Sequence, residues 1–245
     1  MSQRSLFAKA VCYLNLGGPK TTQDVHPFLL NLFTDEDIIK LPFQKYTAQW
    51  IAKRRTPKIQ KQYEAIGGGS PITEWTRKQG ELVEQSLLKE NVAVSSYIGF
   101  RYTPPYTEDM IKKMLEDGIT EAIAFSQYPQ YSCSTTGSSL NELYRQLLKL
   151  DPTGIIKWRI IDRWYNHPLL IKSFQELISK ALAKHYTEQD YEKVVVLFSA
   201  HSLPLSSVLR GDPYTTEVSS TASLVMQSFN NPWRILDSFR CSLAI

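Results

Sequence analysis

The chain has 245 residues, of which 42% are hydrophobic and 21% charged, the composition of a folded globular protein, and this excludes a disordered chain. With 28 basic against 24 acidic residues the net charge is only +4, so a nucleic-acid role would need a concentrated basic patch and no nucleic-acid partner is expected. Cys12, Cys133 and Cys241 lie far apart with no CxxC pair, which excludes a disulfide framework and a self-contained zinc site and fits a reducing compartment.

Residues 1–23 carry Arg4, Lys9 and Lys20 and no acid, a faint echo of a transit peptide, whereas no signal peptide is read. A strand is expected over Ala10–Leu16, and its continuation Leu14-Asn15-Leu16-Gly17-Gly18-Pro19 is either the floor of an active site or a plain turn. Further along, Lys53-Arg54-Arg55 with Lys58 and Lys61, flanked by Phe43, Tyr46 and Trp50, suits a membrane surface or an anionic ligand, with a solvated helix face as the alternative. No apolar run reaches the ~20 residues that span a bilayer, so membrane contact is expected to be peripheral. Tyr63–Ile72 contains Gly67-Gly68-Gly69 between two helical stretches. These amides could face an anionic group or simply form a hinge, but with a helix before them and Ser-Pro after them they are no nucleotide fingerprint.

Helices are expected over Thr73–Leu88, Thr107–Glu116, Ser138–Leu150 and His167–Lys184, with Thr107 as a cap. They alternate with strands over Ala93–Phe100, Glu121–Ser126, Ile155–Ile161 and Val194–Ser199. That alternation predicts an α/β fold with parallel sheets and helices on their faces. Asp151-Pro152-Thr153-Gly154 reads as a boundary, giving a first domain over 1–150 and a second over 151–245. Only two strands follow it. Trp233–Leu236 begins like another, but Asp237–Ser242 breaks the pattern, so the second domain reads as incomplete.

Candidate chemistry clusters at strand ends. Val194–Ser199 delivers Ala200-His201-Ser202-Leu203-Pro204, where the imidazole of His201 could take a proton near neutral pH, ligate a metal, or merely bond the loop. His26, His167 and His185 read as surface or capping residues. Arg101 could grip a carboxylate while Tyr102 stacks on a flat ligand, with a salt bridge as the obvious alternative. Gln127–Ser138 packs hydroxyls, aromatics and a thiol into one strand-to-helix turn, where α/β proteins place ligands. Together with Tyr63, Tyr128 and Tyr131, the apolar residues Leu29, Leu30, Phe33, Ile38, Leu41 and Phe43 could line a large aromatic pocket or belong to the core.

Taken together, Asn15–Pro19, Ala52–Ile59, Tyr63–Ile72, Gly99–Tyr102, Tyr128–Ser139 and Phe198–Pro204 closely resemble the ferrochelatase family, in the same order from about Val11 to about Leu236. The resemblance is to the animal members. It implies a chelatase-like fold of two Rossmann-like parallel-sheet domains, the second incomplete here, with the porphyrin in the cleft between them. The implied activity is that of a lyase inserting Fe²⁺, its substrate, into protoporphyrin IX in the terminal step of haem biosynthesis. By motif, His201 matches the histidine that accepts pyrrole protons or guides iron. Tyr63, Arg101, Tyr102 and Tyr128 match pocket residues, and Arg55, Lys58 and Ser70 match polar groups near the porphyrin propionates. Leu16 stands where relatives commonly have methionine beneath the ring.

The resemblance further implies a mitochondrial homodimer on the matrix face of the inner membrane, with Phe28–Arg55 as an apolar lip on that surface. Cys133 matches one ligand of the animal [2Fe–2S] cluster. The other three ligands have no counterpart in this sequence, so the cluster is not expected to assemble in this chain. The family's second domain also supplies a carboxylate-bearing helix beyond the matched stretch. The chain is therefore expected to be a truncated or alternatively spliced form, and the rival reading is a non-catalytic isoform that binds porphyrin or a partner.

Overall fold

The structure, a computed structural model, describes residues 9–187, 190 and 193–229, together with the backbone of 235–238. The readings made at Arg4, Trp233, Arg234 and Cys241 lie outside the described residues. The chain divides into two compact units, one of Met1–Tyr128 with Cys133–Asp162, the other of Pro129–Ser132 with Arg163–Ile245.

In the first unit, β1 (Lys9–Asn15), β2 (Ser95–Phe100), β3 (Glu121–Ser126) and β4 (Lys157–Ile161) form a parallel sheet in the order β2-β1-β3-β4. Three more elements follow from the same apolar patterning: α3 (Ile72–Lys89), α4 (Thr107–Glu116) and α5 (Ser138–Leu150). Ala10, Cys12 and Leu14 of β1, with Ala122 and Ala124 of β3, make one core face under Met110, Ile111 and Met114 of α4 and Leu143 of α5. On the other face Tyr13 meets Phe125 edge-on at 5.8 Å. Helix α3 approaches closely because Gly80 has no side chain: a Cβ there would lie 2.9 Å from Ser96. With helices on both faces, β1 is buried over Ala10–Leu14, hence its unbroken apolar sequence.

The expected strands and helices form with small changes of boundary, and the α/β class holds. Two local expectations change. The α4 cap falls one residue early, because the Asp109 carboxylate accepts the Tyr106 N–H at 3.0 Å and Thr107 already lies in the helix. The Asp151 turn does not separate two sheets. Its carboxylate accepts the Ile155 and Ile156 N–H groups at 2.7 and 2.9 Å, and the turn feeds β4 onto β3 at the edge of the first sheet.

Ahead of α3, α1 (Val25–Thr34) and α2 (Gln44–Glu64) pack as a pair. Val25, Leu29 and Phe33, spaced every four residues on α1, face Ala48 and Ala52 on α2 in a separate apolar cluster. The small alanines let the two helices approach closely.

The second unit contains α6 (Pro168–His185), β5 (Val196–Ser199), α7 (Leu205–Leu209), α8 (Tyr214–Gln227) and β6 (Ile235–Ser238). Strands β5 and β6 pair in parallel, Val196 opposite Ile235 and Ser199 opposite Ser238. The strand expected to break at Asp237 therefore continues through Ser238, since ladder hydrogen bonds are made by backbone groups that a polar side chain leaves intact. Leu182 and Met226 join α6 to α8, with Val196 and Phe198 of β5 against them. His167 caps α6, its Nδ1 accepting the Leu169 N–H at 3.3 Å.

Candidate functional site at the carboxyl edge of the first sheet

Strand β1 lies between β2 and β3; the connection leaving β1 runs to β2 and the one leaving β3 runs the other way to β4, so the carboxyl ends of β1 and β3 flank a topological switch point where α/β sheets bind ligands. Several of the expected residues stand there. The Leu16 N–H donates to the Tyr128 hydroxyl at 3.0 Å, and that hydroxyl donates to Asn15 Oδ1 at 3.0 Å. The N–H groups of Arg101 and Tyr102 donate to the carbonyls of Asn15 and Leu16 at 2.9 and 3.0 Å. Leu16 is thus fastened backbone to backbone to the end of β2 and through the phenol hydroxyl to Tyr128. Burial pushes the Tyr128 phenol up, so it stays protonated and keeps donating.

Beside this floor lies the loop bearing Ser70. Its N–H donates to the Pro19 carbonyl at 2.7 Å, and its hydroxyl accepts the Ile72 N–H at 3.3 Å. The glycines make this docking possible: a Cβ on Gly69 would lie 1.9 Å from the Lys20 carbonyl oxygen, and one on Gly17, at φ +81°, would lie 2.2 Å from Thr103 Oγ1. Gly67 and Gly68 finish α2, their N–H groups bonding the carbonyls of Glu64 and Tyr63 at 3.2 and 2.8 Å. Those two amides are consumed by the helix end, so the loop is built as a close-packed turn.

Helix α2 supplies the cations. Arg55 and Lys58 are three residues apart, near one face, with Tyr63 further along the same helix. Lys58 is exposed, while the Arg55 guanidinium lies 5.7 Å from the centre of the Phe33 ring. Tyr63 packs against the α1–α2 cluster, and burial raises its phenol.

Arg101 and Tyr102 take the alternative the sequence left open. The Arg101 guanidinium bridges to Asp35 at 2.8 Å and Glu142 at 3.2 Å, and its Nε donates to Ser138 at 3.3 Å. Tyr102 is 2% exposed, with its hydroxyl donating to Asp35 and its ring edge-on to Phe28 at 6.4 Å. The cavity of about 690 Å³ along this side is lined by Asp35, Glu36, Asp37, Glu108, Asp109 and Glu142 against only Arg101 and Arg145, an unfavourable wall for an anionic ligand. Burial raises the Asp35 carboxyl, but hydrogen bonds from Tyr102, the Asp37 N–H and Ser138, with the Arg101 charge, outweigh it and hold the group below its ordinary value. Asp35 and Glu142 escaped the sequence reading, whereas Asn15 and Ser138 entered it as members of the Leu14–Pro19 and Gln127–Ser138 turns.

The turn over Gln127–Ser138 divides. Pro129–Ser132 belongs with the second unit, where the Tyr131 N–H donates to Glu217 at 2.7 Å and Ser132 Oγ to Asp212 at 2.9 Å. Cys133 is exposed at the start of a π-helical turn, Cys133–Gly137. Also in the second unit, His201 is exposed just beyond β5, and its N–H donates to the Tyr214 hydroxyl at 3.2 Å. His26, His167 and His185 are exposed.

A [2Fe–2S] cluster takes four ligands, most often thiolates. Cys12 is buried in the sheet core with its Sγ 3.4 Å from Met114 Sδ, and burial pushes its thiol up, so it is unsuited to join Cys133. Among the described residues no group of three or more His, Cys, Asp or Glu side chains is placed to hold a metal. The described residues do not fit that cluster.

Residues 8–239 match the family model described as Ferrochelatase. Over 231 residues the chain is 54% identical to "Ferrochelatase, mitochondrial" of Homo sapiens, covering 92% of this chain and 54% of that protein. It is 53% identical to the Xenopus laevis protein of the same name, covering 92% and 56%, and 46% identical to the Drosophila melanogaster one, covering 92% and 60%. The chain spans about half the length of the curated relatives it matches.

Proposed function

The chain belongs to the ferrochelatase family, and from that premise we propose that it acts in the terminal step of haem biosynthesis, binding protoporphyrin IX and inserting Fe²⁺ to form protohaem. The observation that carries the reading is the family match over residues 8–239, which takes in every residue assigned a role here. The geometry of the first sheet's carboxyl edge agrees with it.

Insertion replaces two pyrrole N–H protons with one Fe²⁺, so the site must hold the macrocycle, take protons and strip water from the metal. Leu16 offers an apolar floor, its backbone fixed by Tyr128 and Tyr102. Tyr63 and Tyr128 supply aromatic surface for the ring. Arg55, Lys58 and Ser70 offer charge and hydrogen bonds to the propionates. His201, exposed beyond β5, is the group we assign to accept the pyrrole protons or meet the incoming iron. Arg101 and Tyr102, engaged with Asp35, Ser138 and Glu142, serve by holding the frame of the site rather than by touching the propionates.

The same reading makes the protein mitochondrial and peripheral at the inner membrane, on its matrix face, as a homodimer. No described helix is long and apolar enough to cross a membrane. The lip instead presents Phe43 at 84%, Tyr46 at 72% and Trp50 at 61% exposure, with the Arg54 guanidinium 5.2 Å from the Trp50 ring. Aromatic rings with cations beside them suit a headgroup layer.

Titrating the folded chain with protoporphyrin IX tests the substrate assignment. Saturable binding that Arg55→Ala and Lys58→Ala weaken is expected, and no binding would refute the reading. Binding without metal insertion would favour the porphyrin-binding isoform instead.

A further inference from the structure

The geometry points to Asp35 as a positioning residue for Arg55, acting through Phe33. The inference rests on the reading above, in which Arg55 meets a porphyrin carboxylate. Asp35 follows the last turn of α1, and its side chain is 7% exposed. Its Oδ2 collects Arg101 Nη2 at 2.8 Å, Ser138 Oγ at 3.1 Å and the Tyr102 hydroxyl, while Oδ1 accepts the Asp37 N–H at 2.9 Å.

The donors to Oδ2 belong to two other pieces of the first unit, the end of β2 and the start of α5. The carboxylate therefore pins the end of α1 to the sheet edge through charge-assisted hydrogen bonds. Two residues before it stands Phe33, buried, its ring 5.7 Å from the Arg55 guanidinium carbon. The Phe33 carbonyl also accepts Gln44 Nε2 at 2.7 Å, which ties the start of α2 to the same turn. One buried carboxylate thus fixes the platform on which a cation of α2 rests. If that carboxylate is neutralised, Arg101 keeps Glu142 as its ion-pair partner, the turn loosens, and the platform under Arg55 moves.

The test compares two probes, protoporphyrin IX and its dimethyl ester in detergent, titrated by fluorescence against wild type, Asp35→Asn, Phe33→Leu, Arg55→Ala and the two double variants. Asp35→Asn and Phe33→Leu should each weaken binding of the dicarboxylate roughly five- to tenfold, leave ester binding within about twofold, and add nothing in the Arg55→Ala background. Equal weakening of both probes, or a full additional loss on top of Arg55→Ala, would overturn the inference while leaving the function standing. If Asp35→Asn fails to fold by circular dichroism, the Phe33→Leu pair, which leaves the Asp35 contacts intact, decides the same question. Failure of wild type to bind either porphyrin would overturn the function and this inference with it.

Discussion

Asp35 makes the clearest pH signature available at a single side chain. Its carboxyl is held below the ordinary carboxylate value of about 4, so it binds fewer protons when folded than when unfolded just below that value. Its contribution to stability is therefore complete above about pH 4–5 and lost as the pH falls through the lowered value. The difference in unfolding midpoint between wild type and Asp35→Asn should be constant from neutrality to about pH 5 and close below about pH 4. A difference that persists in acid would contradict the assignment. Gly69→Ala should cost about 2–4 kcal/mol by chemical denaturation, because its Cβ would meet backbone that cannot rotate away. At His201 the expectation is kinetic: His201→Ala should lower insertion by about 10²–10⁴-fold with porphyrin binding retained, as expected for loss of a general base.

Among the elements, α2 combines two duties. Its inner face packs Ala48 and Ala52 against α1, and its outer face displays Tyr46 and Trp50 beyond Phe43. Replacing Phe43, Tyr46 and Trp50 together by serine should lower the partition coefficient onto anionic vesicles by at least about a hundredfold, since each ring removed from water is worth roughly 1–3 kcal/mol, while the melting temperature stays nearly unchanged. A large drop in melting temperature would mean that these rings hold the fold. Periodicity made the strands and four helices readable, because burial on one or both faces writes itself into local sequence. It did not reveal which sheet β4 joins. Ile155–Ile161 reads as a strand in either place, and only pairing with Glu121–Phe125 decides. The same limit hid the partners of Arg101. An arginine at a strand end suits a ligand or a salt bridge equally well in sequence, and the carboxylates of Asp35 and Glu142 reach it only through the packing of α1 and α5.

For the molecule as a whole, residue motifs in a fixed order carried the family, and the match over 8–239 agrees. Strand alternation put Arg101, Tyr102 and the Gln127–Ser138 turn at strand ends, but the switch point beside them depends on strand order, which alternation does not give. The division of the chain was less legible. The excursion of Pro129–Ser132 into the second unit depends on buried acceptors at Asp212 and Glu217, far along the chain. The most direct test of the central claim is an anaerobic assay of the purified chain with protoporphyrin IX and Fe²⁺, following loss of porphyrin fluorescence against a no-protein control. The account requires insertion above background that His201→Ala removes. Folded, porphyrin-binding protein that inserts no iron would contradict it.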